Sequence, residues 1–170
     1  GVLGARGAGA TELFGLEEMV DLRMGTFSKS LASCGGFIAA SEEVVEYIKI
    51  SARSFIFSAS AVPAAVGAAL EATRICRAEG PALFAKLLDN AKYLREGLKG
   101  LGLTVVEPGT MPDGSEATAP VVPVLVGDDW KAILLWKALF TAGVYTNVAI
   151  HPRNPDTVAG CRMTAPCDAA

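Results

Sequence analysis

The chain has 170 residues with a net charge of −3; 51% are apolar and 19% charged. That composition supports a packed core, in one domain or parts of two, and argues against disorder. No Lys/Arg cluster provides the positive surface that nucleic-acid binding needs, and no apolar stretch approaches the roughly 20 residues that span a bilayer.

Gly1 to Gly9 carries glycine at 1, 4, 7 and 9 and reads as a loop. It lacks the basic head and apolar run of a secretory signal. A chain that opens this way, without a methionine, is expected to be the C-terminal part of a longer protein. Val20 to Met24 alternates apolar and polar residues and predicts a strand. Gly25 to Ser30 predicts a polar turn, and Phe37 to Ala40, after the break at Gly35-Gly36, a short buried strand. Ser41 is a good N-cap for a helix running to about Ser51, with Glu42 and Glu43 in its dipole-favoured first turn. Ser54 to Phe57 predicts another short strand.

Ser60 is expected to cap a helix with Pro63 in its first turn, ending at Gly80-Pro81. A second helix over 81–100 follows. Its apolar positions 84, 87, 88, 91, 94, 98 and 101 share one face, as core packing requires. Leu103 to Val106 predicts a strand, Pro108 to Pro120 a turn-rich stretch, and Val121 to Val126 a strand that Pro123 favours at an edge or near a strand start. Trp130 to Ala142 predicts a helix stopped by Gly143. Val144 to Ile150 and Val158 to Met163 predict further strands. The expected organisation is the end of a larger domain over 1–80, a connecting helix over 81–101, and a small α/β domain over 102–170.

The four cysteines at 34, 76, 161 and 167 form no C-x-x-C pair and match no zinc spacing. They are expected to be reduced thiols of a cytoplasmic protein, with Cys76 buried. The one histidine, His151, leaves little for a histidine-based metal site or triad and is expected at the surface. The informative stretch is Gly25-Thr26-Phe27-Ser28-Lys29-Ser30-Leu31-Ala32-Ser33-Cys34-Gly35-Gly36. By spacing alone, Lys29 reads as a solvated loop lysine. Its serine neighbours and the twin glycines that follow also suit an imine-forming lysine. Such a lysine must be neutral when it attacks, small hydroxyls let an anionic cofactor approach, and glycines allow tight backbone passage.

Thr26-Phe27-Ser28-Lys29, followed by Gly35-Gly36-Phe37, resembles the cofactor-lysine motif of the α-oxoamine synthases. These fold-type I pyridoxal 5′-phosphate (PLP) enzymes include serine palmitoyltransferase and 8-amino-7-oxononanoate synthase. Gly1 to Gly9, Phe55 to Ser60, and the segments 120–127 and 130–145 extend the likeness over nearly the whole chain. The resemblance implies an α/β fragment of the fold-type I transferase fold, comprising the end of the large domain and a small C-terminal domain. It implies Lys29 as the catalytic lysine that holds PLP as a Schiff base and moves the α-proton. It places Thr26 at the cofactor, and Ser58 at the phosphate of a neighbouring subunit's cofactor. Ala59 replaces a second hydroxyl found in some members, so that contact is lost or moves to Ser60, which also reads as a plain N-cap; a helix start can serve both roles. Arg162 corresponds to an arginine that grips the substrate carboxylate, although residues 159–170 depart from the family pattern.

The activity so implied is condensation of an amino acid with an acyl-CoA to an α-amino ketone, releasing CoA and usually CO2, in a homodimer with shared active sites. Ser30 looks more like the serine palmitoyltransferase group. The family's ring-nitrogen carboxylate and stacking histidine precede the segment matched by Gly1, so the activity is expected of the full-length parent and not of this chain alone. Competing readings are a fold-type I aminotransferase, a non-catalytic subunit of a synthase heterodimer, which Lys29 disfavours, and an inert α/β fragment.

Overall fold

The computed structural model describes residues 2–111, 114, 117, 119–150 and, for the backbone alone, 160–164. His151, Cys167 and the side chains of Cys161 and Arg162 lie outside the described residues. The chain divides into two compact units, Gly1–Phe84 and Ala85–Ala170, and the boundary falls inside one long helix.

In the first unit, the glycine-rich loop is held by Gly9 N–H donating to the Leu3 carbonyl at 2.8 Å and Gly7 N–H to Gly4 at 3.1 Å. It leads into α1 (Ala10–Leu13) and a 3-10 turn at Glu17–Met19. Glu12 organises the loop. Its carboxylate accepts from Ala8 N–H at 2.8 Å, Arg6 N–H at 2.9 Å and Arg6 Nε at 3.0 Å. Arg6 reaches on to Glu17 at 3.0 Å. Gly7 has φ +72°, and a Cβ there would run into the Phe84 ring, so only glycine serves both the turn and the packing.

β1 (Arg23–Thr26) and β2 (Gly36–Ala39) form an antiparallel ribbon with Thr26 opposite Gly36 and Gly25 opposite Phe37. β1 therefore runs two residues into the expected turn. β2 stands where predicted but is exposed throughout, not buried, because nothing else among the described residues extends this ribbon into a larger sheet. α2 (Glu42–Ser51) starts after Ser41, as its acidic first turn predicts, although the Ser41 side chain makes no capping bond. The segment 54–57 is not a strand. It belongs to a short helix, α3 (Arg53–Ile56), a case where an apolar run too short to show a period carries no helix-or-strand signal.

α4 (Pro63–Gly100) is one continuous helix. It begins after Val62, whose carbonyl accepts from Ala65 and Val66, so Ser60 is not its cap. The expected break at Gly80-Pro81 does not occur, and Pro81 lies inside the helix. Proline in a helix interior forfeits one backbone bond. Cys76 is half-buried, not buried, because it faces an open cleft.

The second unit is a four-stranded antiparallel sheet in the order β3-β4-β6-β5, from β3 (Thr104–Val105), β4 (Val121–Leu125), β5 (Asn147–Ala149) and β6 (Gly160–Thr164). β4 is an inner strand despite Pro123. The Pro123 carbonyl accepts from Val106 N–H at 2.9 Å, so the position lacking an N–H faces β3, which ends there and loses little. Val122 and Val124 alternate onto one face and pack against Ala91 and Leu98 of α4 and Val105, with Leu87 and Leu94 alongside. Positions 87, 91, 94 and 98 of the predicted stripe thus enter this core, whereas Leu101 is exposed; Arg95 of the same helix is buried and donates to the Ala119 carbonyl at 3.3 Å.

α5 (Asp129–Thr141) is capped by Asp128, which accepts from Lys131 N–H at 2.8 Å. It turns Ala132, Leu135, Trp136 and Leu139 inward at helical spacing. Trp136 Nε1 donates to the Thr146 carbonyl at 3.0 Å.

Val122 is fully enclosed, so Val122→Ala should cost about 2 kcal/mol of unfolding free energy by chemical denaturation. A loss under about 0.5 kcal/mol would contradict this packing. The Ala8 backbone bond, and after it the Arg6 side chain, hold the Glu12 carboxyl below its ordinary range. A depressed carboxyl stabilises fully above its ordinary value and loses that contribution as pH falls through the folded value. Glu12→Gln should therefore melt below wild type at about pH 7, with the gap narrowing as pH falls below the ordinary carboxyl range. A gap that does not change with pH would refute this role for Glu12.

Candidate functional site

The neck of the β1–β2 ribbon sets the position of Lys29. Gly25 and Gly36 meet there: a Cβ on Gly36 would lie 2.6 Å from the Gly25 carbonyl oxygen, and one on Gly25 would enter the Phe37 ring. The glycines therefore let the two backbones and an aromatic ring close up where any side chain would force them apart. Beyond the neck, the loop 27–35 folds on itself. Phe27 N–H donates to Gly35 and Ser33 N–H to Phe27, both at 2.9 Å, and Ala32 N–H donates to Lys29 at 3.1 Å. The Phe27 ring stacks on Phe37 with centroids 5.9 Å apart. Lys29 is carried at the outer end of this loop, with its side chain exposed.

Lys29 and Thr26 line one open cleft of the first unit, whose walls come from the glycine-rich loop, the ribbon and α4. The cleft also takes in Ser30 and three arginines. Arg6 is paired with Glu12 and Glu17, Arg23 donates to the Glu17 carbonyl, and Arg77 comes from α4. Thr73, Cys76 and Arg77 reach the cleft together because helical spacing puts them on one face. An amine, hydroxyls and guanidinium groups are the donor set that an anionic aldehyde cofactor such as PLP would require.

Ser58 and Ser60, also of the first unit, do not line this cleft. Ser58 follows α3, and its hydroxyl donates to the Ser54 carbonyl at 2.6 Å. Ser60 is exposed in the connection to α4. Arg162 is in β6 of the second unit, opposite Pro123 and Asn147. The cleft arginines were missed in the sequence because 6, 23 and 77 belong to separate elements and no short motif joins them. The i, i+4 relation of Thr73 and Arg77 was the one available signal.

Over 162 residues the chain is 37% identical to 8-amino-7-oxononanoate synthase of Thermoanaerobacter pseudethanolicus, covering 95% of this chain and 38% of that protein. It is 39% identical over 155 residues to serine palmitoyltransferase of Sphingobacterium spiritivorum, covering 91% and 36%. Among solved structures, serine palmitoyltransferase of Sphingomonas wittichii superposes with a TM-score of 0.85 at 30% identity, over 99% of this chain and 40% of that one. A serine palmitoyltransferase variant from S. paucimobilis, solved with PLP and myriocin bound, does so with the same scores and coverage. The chain thus spans about two fifths of the length of these relatives, is homologous to α-oxoamine synthases, and carries part of the fold-type I PLP-enzyme fold. The model of the family described as aminotransferase class I and II matches residues 1–165, and this chain belongs to that family.

Proposed function

We propose that the complete polypeptide is a PLP-dependent acyltransferase that condenses an amino acid with an acyl-CoA thioester to give an α-amino ketone, releasing CoA and usually CO2. The observation that carries this reading is the amine of Lys29, presented by a tightly bonded loop into a cleft it shares with Thr26 and three guanidinium groups. The likeness to two α-oxoamine synthases at 37% and 39% identity supports the choice of chemistry.

In this reading, Lys29 would hold the cofactor through its amine and, once freed by the incoming amino acid, would take and return the α-proton. Bound there, PLP supplies an electron sink for the carbanion that attacks the thioester. The Thr26 hydroxyl, on the last residue of β1, fixes the cofactor beside the lysine. Ser58, with Ser60 close behind it, serves the phosphate of the neighbouring subunit's cofactor, so the working unit is a homodimer. Arg162 takes the substrate carboxylate, a role that its planar fork suits.

The exposed apolar side chains of the first unit, among them Met19, Met24, Tyr47, Ile50 and Phe57, leave surface for the remainder of the polypeptide and the second subunit to cover. The competing aminotransferase reading needs no thioester. With PLP, a panel of amino acids and acyl-CoAs of several chain lengths, the complete protein should release free CoA thiol in step with amino ketone. Lys29→Ala should lower that rate by about a thousandfold or more. A 2-oxo acid product with no thiol released would overturn the proposal in favour of an aminotransferase.

A further inference from the structure

We infer that Ser33 is the positioning residue for Lys29, fixing the loop that carries the amine to helix α4; this rests on the cofactor role proposed for Lys29. The Ser33 hydroxyl is half-buried and donates to the Ala65 carbonyl, in the first turns of α4, at 2.6 Å. Among the described residues, it is the only hydrogen bond that leaves the loop 27–35 for an element other than the ribbon. The remaining bonds close the loop on itself, tying Phe27 to Ser33 and Gly35, and Lys29 to Ala32. They shape the loop but do not hold it against the wall of the cleft.

A second observation shows why the tether matters. Ala32, directly before Ser33, has φ +46° and is the one non-glycine residue among those described with positive φ. A residue with a Cβ stays in that conformation only where its surroundings hold it there. Ala32 also closes the turn that begins at Lys29, through its 3.1 Å bond to the Lys29 carbonyl. Ser33 holds the strained residue from one side, and the turn passes that constraint to Lys29 on the other. Without the hydroxyl, Ala32 can relax toward negative φ and the amine loses its fixed approach, which is the condition for fast attack.

The test uses the complete protein and pyridoxal phosphate, with borohydride trapping at timed intervals and peptide mapping of the modified lysine. Ser33→Ala should label Lys29 about tenfold more slowly than wild type, and Ser33→Thr, which keeps the hydroxyl, within about twofold of it. Amide exchange at Ala32 and Ser33 in the unsubstituted protein should be as slow as at β1, a readout that needs no variant to fold. Wild-type labelling rates in Ser33→Ala, equal slowing in Ser33→Thr, or fast exchange at both amides would overturn the inference while leaving Lys29 in place. Wild-type labelling at another lysine, or none, would instead defeat the cofactor reading.

Discussion

The close approach of two backbones at Gly25 and Gly36 is the constraint on which the rest of the site depends. With Thr26 paired to Gly36 and the Phe37 ring lying over Gly25, the ribbon can end in one way, and the loop beyond it starts from a fixed position. Phe27 then serves the loop twice. Its backbone binds Gly35 and Ser33, and its ring stacks on Phe37, so the same residue joins loop closure to ribbon packing. Lys29, exposed in this chain, is placed by the hydrogen bonds of its loop and not by burial of its own side chain.

The two units are stabilised in different ways. The second has an ordinary core, with valines from β4 against small and branched residues of α4. Such burial contributes roughly 25 cal/mol per Å² of apolar surface. The first buries only Ala69 and Phe84 of its described apolar side chains, neither of them completely. It relies on backbone bonds, the Glu12 carboxylate and close glycine contacts instead. Polar local order of this kind can hold a loop in shape without a large core beneath it. That suits a cleft wall that must present an amine and hydroxyls outward.

Much of the fold was legible where the signal was local and periodic. The stripe on α4, the Ser41 boundary of α2, and the strand at 121–125 each follow from spacing and local residue chemistry. The failures have physical reasons. A proline normally ends a helix, yet α4 runs through Pro81, at the cost of one backbone bond. Pro123 argues for an edge, yet here it costs β4 a single ladder bond at the end of β3, where Val106 still donates to the Pro123 carbonyl. The Lys29 motif could be read because its residues are contiguous. The partners that complete its surroundings could not: the link from Ser33 to Ala65 spans 32 positions, and Arg6, Arg23 and Arg77 meet only after folding.

The central claim is that the amine of Lys29, and no other, takes the cofactor. It is tested most directly by incubating the complete protein with pyridoxal phosphate, reducing with borohydride, and locating the modified lysine by peptide mass spectrometry. A single cofactor adduct on Lys29, absent in Lys29→Ala, is the result this account predicts. An adduct on Lys49 or Lys86, or none at all, would contradict it.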